Sequence, residues 1–266
     1  MPRYNEVAIL RTSLSFYRAN PVLLIPILLS IPFNILMTIA ISNINQHVLK
    51  LDLSWMMSTS YFELLPILFA SLFIGFLVTL GLVKMASKIV TRGRCGLSNW
   101  IEGIREYFWR ILALTIVFTA LPLLVAIATG LALGYASVYT GLILKLPPEI
   151  TGTISKILLS IYTLAMYTCY AAITIDDAGL RASISLGLKT VRESARVFLV
   201  FCLIYTAISS SRALFEGNLW NTDTIQPMLF GLSIGYDVAV SFLYPLWILI
   251  MFTIYRKFSP KVKKDN

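Results

Sequence analysis

Asp237 is the only charged residue between Thr224 and Tyr255, and it sits in the run Gly231-Leu-Ser-Ile-Gly235-Tyr-Asp237. A carboxylate inside so long an uncharged stretch is costly unless it is paired, protonated or facing water. Two roles fit that chemistry. One is a proton- or cation-binding group, with Tyr236 and Tyr244 beside it lining a pathway. The other is a structural hydrogen bond or ion pair, with Arg212 at the end of the preceding apolar run as the natural partner. A place in the outer interface of a membrane is a third possibility. Tyr236-Asp237 also matches half of an intramembrane aspartyl protease site. That mechanism needs two carboxylates sharing a proton, and no other apolar run contains an Asp.

Asp176-Asp177 precedes Ala178-Gly179 and an amphipathic stretch, so both carboxylates are expected to cap a helix N-terminus, where exposed N–H groups and the helix dipole favour them. A divalent-metal site joining this pair to Glu102 or Glu106 has no histidine to support it. His47 is the single histidine. A two-His metal motif is therefore excluded, and a Ser-His pair with Ser54 or Ser58 lacks both a nucleophile elbow and a third member. No Walker A or GxGxxG sequence occurs; Gly93, Gly96 and Gly103 flank basic residues at other spacings. Cys95, Cys169 and Cys202 form no CxxC, so neither a disulfide framework nor a zinc site is supported. The residues predict no enzyme and no cofactor.

The elements that carry these residues are read from composition. The chain is 58% hydrophobic and 13% charged, with a mean hydropathy of +0.79, where a soluble domain carries about 25% charged residues. Lipid suits such a surface. A bilayer core of roughly 30 Å needs about 20 apolar residues at 1.5 Å each. Six stretches qualify: 21–43, 61–83, 110–134, 155–175, 195–215 and 228–254. The fifth ends early at Arg212, which can snorkel to the interface. The third is ambiguous, because Ile111 to Leu144 is uncharged, too long for one span and too short for two. A break is expected near Gly134-Tyr135-Ala136-Ser137, leaving 135–150 as a loop or a re-entrant piece. The first stretch is too long for a signal-peptide core, so the N-terminus is expected to be retained.

Eighteen of the twenty-two Lys and Arg residues fall in four segments, alternating with three loops that hold the other four. Positive charge resists translocation, so this pattern places both termini in the cytoplasm of a multi-pass cell-membrane protein. The net charge of +9 is then a cytoplasmic collar and gives no support to nucleic-acid binding. Arg11, Arg18, Arg92, Arg94, Arg192, Lys261, Lys263 and Lys264 are the expected contacts to anionic headgroups. Trp55, Met56, Met57 and Trp220 suit the opposite aromatic belt.

Each basic segment before an outgoing span is amphipathic at helical spacing. Val7, Leu10, Leu14 and Tyr17 form one apolar stripe. Trp100, Ile101, Ile104 and Phe108 form a second, and Leu180, Ile184, Leu188 and Val191 a third. These read as helices lying in the inner interface. Interfacial helix, outgoing span and returning span make a unit repeated over 1–92, 93–175 and 176–266. Two spans restore the orientation, so the copies are parallel. A general tendency to place basic amphipathic segments inside explains the pattern equally well. Pro26, Pro32, Pro122 and Pro245 are expected to kink spans, and Gly75, Gly81, Gly231 and Gly235 to allow close helix contacts.

The stretch from Tyr170 to Lys189, followed by Arg192 to Val200, resembles a prokaryotic family of multi-span proteins similar to the membrane domain attached to some glycerophosphodiester phosphodiesterases. Asp177, Gly179, Ala182 and Ser185 hold the places of that family's acidic residue, glycine and small-residue pattern. Ile184 stands where the family often has a basic residue, and no phosphodiesterase domain is expected beside the six apolar stretches. The resemblance spans about 35 residues; it implies a six-helix membrane domain and no chemistry.

The expectation is therefore an all-α, single-domain protein over 1–266, a polytopic membrane bundle of six transmembrane helices with short interfacial helices. Its expected role is a non-enzymatic scaffold or accessory domain, contacting anionic lipid and either a protein partner or a second copy. The alternative is a small transporter or channel subunit using Asp237, and a lipid-modifying enzyme lacks any acid, base or metal set.

Overall fold

The computed structural model describes residues 5–49, 59–140, 148–216 and 226–259, with 38–49, 59–65, 121–123, 125–140, 148–155, 212–216 and 226–233 described by backbone alone. Among the described residues the chain is all-α, with no strand. Its helices are α1 (Glu6–Ala19), α2 (Leu24–Leu49), α3 (Thr59–Arg92), α4 (Ser98–Thr140), α5 (Pro148–Ile175), α6 (Leu180–Glu193), α7 (Ala195–Glu216) and α8 (Gln226–Phe258).

Three apolar stretches are long enough to cross a membrane: Pro66–Arg92, Lys156–Ile175 and Ile234–Phe258. The number rises to five if each of two bent helix pairs is one span. Their outward faces carry exposed Leu28, Phe69, Phe73, Leu159 and Leu203. Water would penalise such a surface, and hydrocarbon would not.

The helix boundaries follow local chemistry. Asn20 precedes Pro21, whose ring disfavours the α region for the residue before it. Asn20 accordingly sits at φ −129°, ψ 66°. A short 3-10 turn, Pro21–Leu23, then leads into α2, and α1 meets the following helix at 85°. Ser194 makes the second bend: at φ −105° it stops α6, and α7 leaves at 93°. Its hydroxyl donates to the Thr190 carbonyl at 2.8 Å. Residues 98–108 behave differently. No proline or cap interrupts them, so they run straight on into the apolar stretch as one 43-residue helix. The break expected near Gly134–Ser137 does not occur either. The backbone stays helical to Thr140, since small residues alone remove no hydrogen bond.

Contacts divide the chain into two compact units, one of Val7–Glu106 with Ser210–Ile250 and the other of Met1–Glu6, Tyr107–Ser209 and Met251–Asn266. In the first, α2 packs along α3, where Ser71 donates to the Phe33 carbonyl at 3.2 Å. In the second, α6 packs along α5. A Cβ at Gly187 of α6 would lie 2.9 Å from the Cys169 backbone, so the two helices touch main chain to main chain. The first unit repeats this device: a Cβ at Gly103 would lie 2.8 Å from the Leu80 carbonyl oxygen and 3.2 Å from Gly81 Cα. Small residues permit such close approach. Of the expected glycines, Gly81 does face a close neighbour, the Trp100 ring, whereas Gly75 and Gly235 have nothing within 4 Å.

The packing faces of the amphipathic segments differ from their apolar stripes. Ser183, Gly187 and Thr190 are the buried residues of α6, Ile9 and Ser13 those of α1, and Gly103 and Tyr107 are buried in the first turns of α4. The stripes are only partly covered: Val7 is 66%, Ile101 62% and Leu188 49% exposed, while Tyr17 and Trp100 turn inward.

Candidate functional site

The polar residues of the apolar helices form ties between helices. Within the first unit, the Tyr236 hydroxyl lies 2.7 Å from Ser211 Oγ, joining α8 to α7. Eight residues on, the Tyr244 hydroxyl lies 2.9 Å from Thr79 Oγ1 and joins α8 to α3. Tyr17 Oη donates to the Phe242 carbonyl at 2.6 Å, holding α1 against α8. Asp237 is half-buried, and its carbonyl accepts from the Ser241 hydroxyl at 2.7 Å. Asp237, Ser241 and Tyr244 fall at i, i+4 and i+7 and so share one helix face. Arg212 belongs to α7, and its side chain lies outside the described ones.

A second charge within an apolar stretch escaped sequence reading. Lys84, about two turns from the end of α3, is 9% exposed and donates to Glu106 Oε2 of α4 at 2.5 Å. The spacing of Glu106 put it on the solvated side of an amphipathic helix. Only the crossing of α3 and α4 through Gly81 and Gly103 brings it to Lys84.

The two acids after α5 do not cap α6. Gly179 is the N-cap residue of that helix and makes no side-chain cap bond. Asp177 adopts φ +48°, the left-handed conformation that ends α5, and this turns its carboxylate away from the α6 N-terminus to pair with Arg110. Asp176 Oδ2 accepts from the Tyr255 hydroxyl at 2.6 Å. Both carboxylates are therefore engaged within their own unit. Among the described residues no group of three or more His, Cys, Asp and Glu side chains could hold a metal ion.

The turn after α3 is built alike with the opposite charge. Gly93 ends the helix at φ +80°, donating to the Ile89 carbonyl at 2.7 Å. Gly93 and Asp177 stand 84 positions apart, as do Gly103 and Gly187. Asn20, at the α1 bend, clasps the turn. Its Nδ2 donates to the Gly93 carbonyl at 3.3 Å, and its Oδ1 accepts from the Cys95 N–H at 3.2 Å. Asn99 continues the lacing, accepting from the Gly96 N–H at 3.0 Å and donating to Glu102 at 3.0 Å. Lys88, Arg92, Arg94, Cys95, Gly96 and Asn99 line a cleft of ≈ 440 Å³. Burial pushes the Cys95 thiol up to about 11. Arg92 and Arg94 are exposed, and among the described residues neither they nor Lys88 forms an ion pair.

Arg11, Arg18 and Arg192 are likewise exposed, on α1 and α6. Lys261, Lys263 and Lys264 lie outside the described residues, as do His47, Ser54, Ser58, Trp55, Met56, Met57 and Trp220 in whole or in side chain. Comparison with protein-family models, curated proteins and solved structures finds no match.

Proposed function

We propose that the chain is a six-span integral membrane protein of the cell membrane with both termini in the cytoplasm, serving as a non-enzymatic scaffold or accessory domain. The observation that carries this reading is how the polar side chains are used. Tyr236, Tyr244, Lys84, Asp176 and Asp177 are spent on ties between helices, whereas exposed Arg11, Arg18, Arg92, Arg94 and Arg192 take no part in them. Interhelical hydrogen bonds are the usual glue of membrane bundles.

Three hairpins, each led by an amphipathic helix, fit the recurrence of the left-handed turn and the tight glycine at the same spacing. The unbroken buried helix stretches 80–87, 167–174 and 247–255 recur at a similar interval. The resemblance of 170–200 to the membrane domain of certain phosphodiesterases belongs to the same proposal. On it, Arg11, Arg18, Arg92, Arg94 and Arg192 contact anionic headgroups on the inner face.

Gentle detergent extraction from native membranes, followed by affinity purification of the full chain, tests the role. A stoichiometric partner or a defined homo-oligomer is expected. A monodisperse monomer with saturable uptake in proteoliposomes overturns the scaffold. The transporter reading draws on Asp237, half-buried on one face with Ser241 and Tyr244. Uptake that persists unchanged in Asp237→Asn removes that residue from it.

A further inference from the structure

We propose that the cleft of Lys88, Arg92 and Arg94 is a binding site for a phosphate monoester. The assignment deepens the inner-face reading above only in where the phosphate would come from; the site itself stands on its own geometry.

Three observations converge on the turn between α3 and α4. The first is charge without partners: the cleft lining holds three cations, no carboxylate, and no ion pair among the described residues. Lys88 and Arg92 are one helical turn apart, a like-charge spacing that costs stability unless something neutralises it. The dipole at the end of α3 favours cations in that last turn. Arg94 lies beyond the helix, where the dipole gives no reason for it.

The second observation is rigidity. Gly93 reverses the chain at φ +80°. Asn20 then pins the loop from both sides, through the Gly93 carbonyl and the Cys95 N–H. Asn99 fixes Gly96 and holds Glu102, the nearest acid of α4, by its own amide. The loop's shape is thus set before any ligand arrives, which lowers the ordering cost of binding.

The third is the comparison with the turn 84 positions on. There the same left-handed junction carries Asp176 and Asp177, and both are engaged by Tyr255 and Arg110. The junction can therefore be made with either sign of charge and closed internally. At Gly93 it is left open and positive.

Two guanidinium forks and an ammonium suit a phosphate monoester better than a carboxylate. Such a group carries close to two negative charges and three acceptor oxygens at neutral pH, and Arg can meet it bidentately. A cleft of ≈ 440 Å³ leaves room for the glycerol or sugar to which the phosphate is attached. The source is either an anionic lipid of the phosphatidic acid type or a soluble phosphate ester.

Isothermal titration calorimetry on the full chain in detergent micelles separates the sources, using inorganic phosphate and dioctanoyl phosphatidic acid as probes. Saturable one-to-one binding of at least one probe is expected, weakened about tenfold or more by R92Q/R94Q. The control R181Q/K189Q removes the same charge from exposed positions on α6 and should leave affinity unchanged. Tighter binding of the lipid assigns a headgroup; equal binding, or binding of phosphate alone, assigns a soluble ester. Asn20→Ala should weaken binding while Arg92 and Arg94 remain, because Asn20 positions the loop. If R92Q/R94Q fails to fold, Arg94→Ala, outside every helix, carries the comparison. No saturable binding of either probe, or equal weakening by the α6 control, overturns the site. Neither result depends on whether a partner co-purifies.

Discussion

Lys84 is the residue whose environment departs most from what its type would choose. Its ammonium is nearly enclosed, while its partner Glu106 is half exposed at 48%. Deleting the carboxylate takes the ion-pair partner from a buried charge, whereas deleting the charge itself does not. Glu106→Ala should therefore lower the thermal midpoint more than Lys84→Met does, as read by scanning fluorimetry in detergent. Equal losses would show the pair to be incidental. Cys95 offers a second test at this scale. With its thiol at about 11, deprotonation is displaced to high pH, and the thiolate is the reactive form. Alkylation by iodoacetamide should still be climbing about tenfold per pH unit between 8 and 10. Asn20→Ala, which frees the loop, should bring the rate forward toward ordinary thiol behaviour. A rate already level at pH 9 in the native chain sinks the assignment.

Helix junctions and crossings set the next scale. Besides Lys84 Cβ and Cys169 Sγ, Gly103 and Gly187 meet backbone at 2.8 and 2.9 Å, and backbone cannot move aside as a side chain can. Gly103→Ala and Gly187→Ala should each cost about 1–3 kcal/mol, the usual penalty of overpacking. Gly75→Ala, with nothing nearby, should be neutral or slightly stabilising in a helix. Thermal unfolding of the three variants decides this, and equal behaviour would contradict the crossings. The same residues mark what was legible in the sequence. Apolar runs announced helices because a bilayer imposes length and composition together. The amphipathic stripes were found as well, but much of each, Val7, Ile101 and Leu188 above all, is left outward. The packing faces, Ser183-Gly187-Thr190 above all, carry small and hydroxyl residues with no hydrophobic periodicity to reveal them. The carboxylates of Asp176 and Asp177 were misread for a related reason. Capping preference is local, whereas their actual partners Arg110 and Tyr255 lie 67 and 79 residues away.

At the scale of the whole molecule, charge distribution gives the proposed direction of threading. A tag placed after Lys264 should be reached from the cytoplasmic side of right-side-out vesicles only after permeabilisation. Access without it reverses the proposed orientation and moves the basic turns to the other leaflet. The absence of pairing at Lys88, Arg92 and Arg94 is also a property of the whole chain: a net charge of +9 leaves more cations than acids to meet them.

The bends at Asn20 and Ser194 bear on how the spans can move. Each short arm, α1 or α6, has 14 residues and is about 21 Å long. With the following helix along the bilayer normal, an arm set at 85° or 93° lies in the plane of the headgroups. Sliding that helix one turn deeper would drag the whole arm, with Arg11 and Arg18 or Arg181 and Arg192, into hydrocarbon. On the proposed threading the arms are flanges. They would fix the depth of the helices they precede and oppose a piston stroke, so tilting about the bend would be the cheap motion left to them.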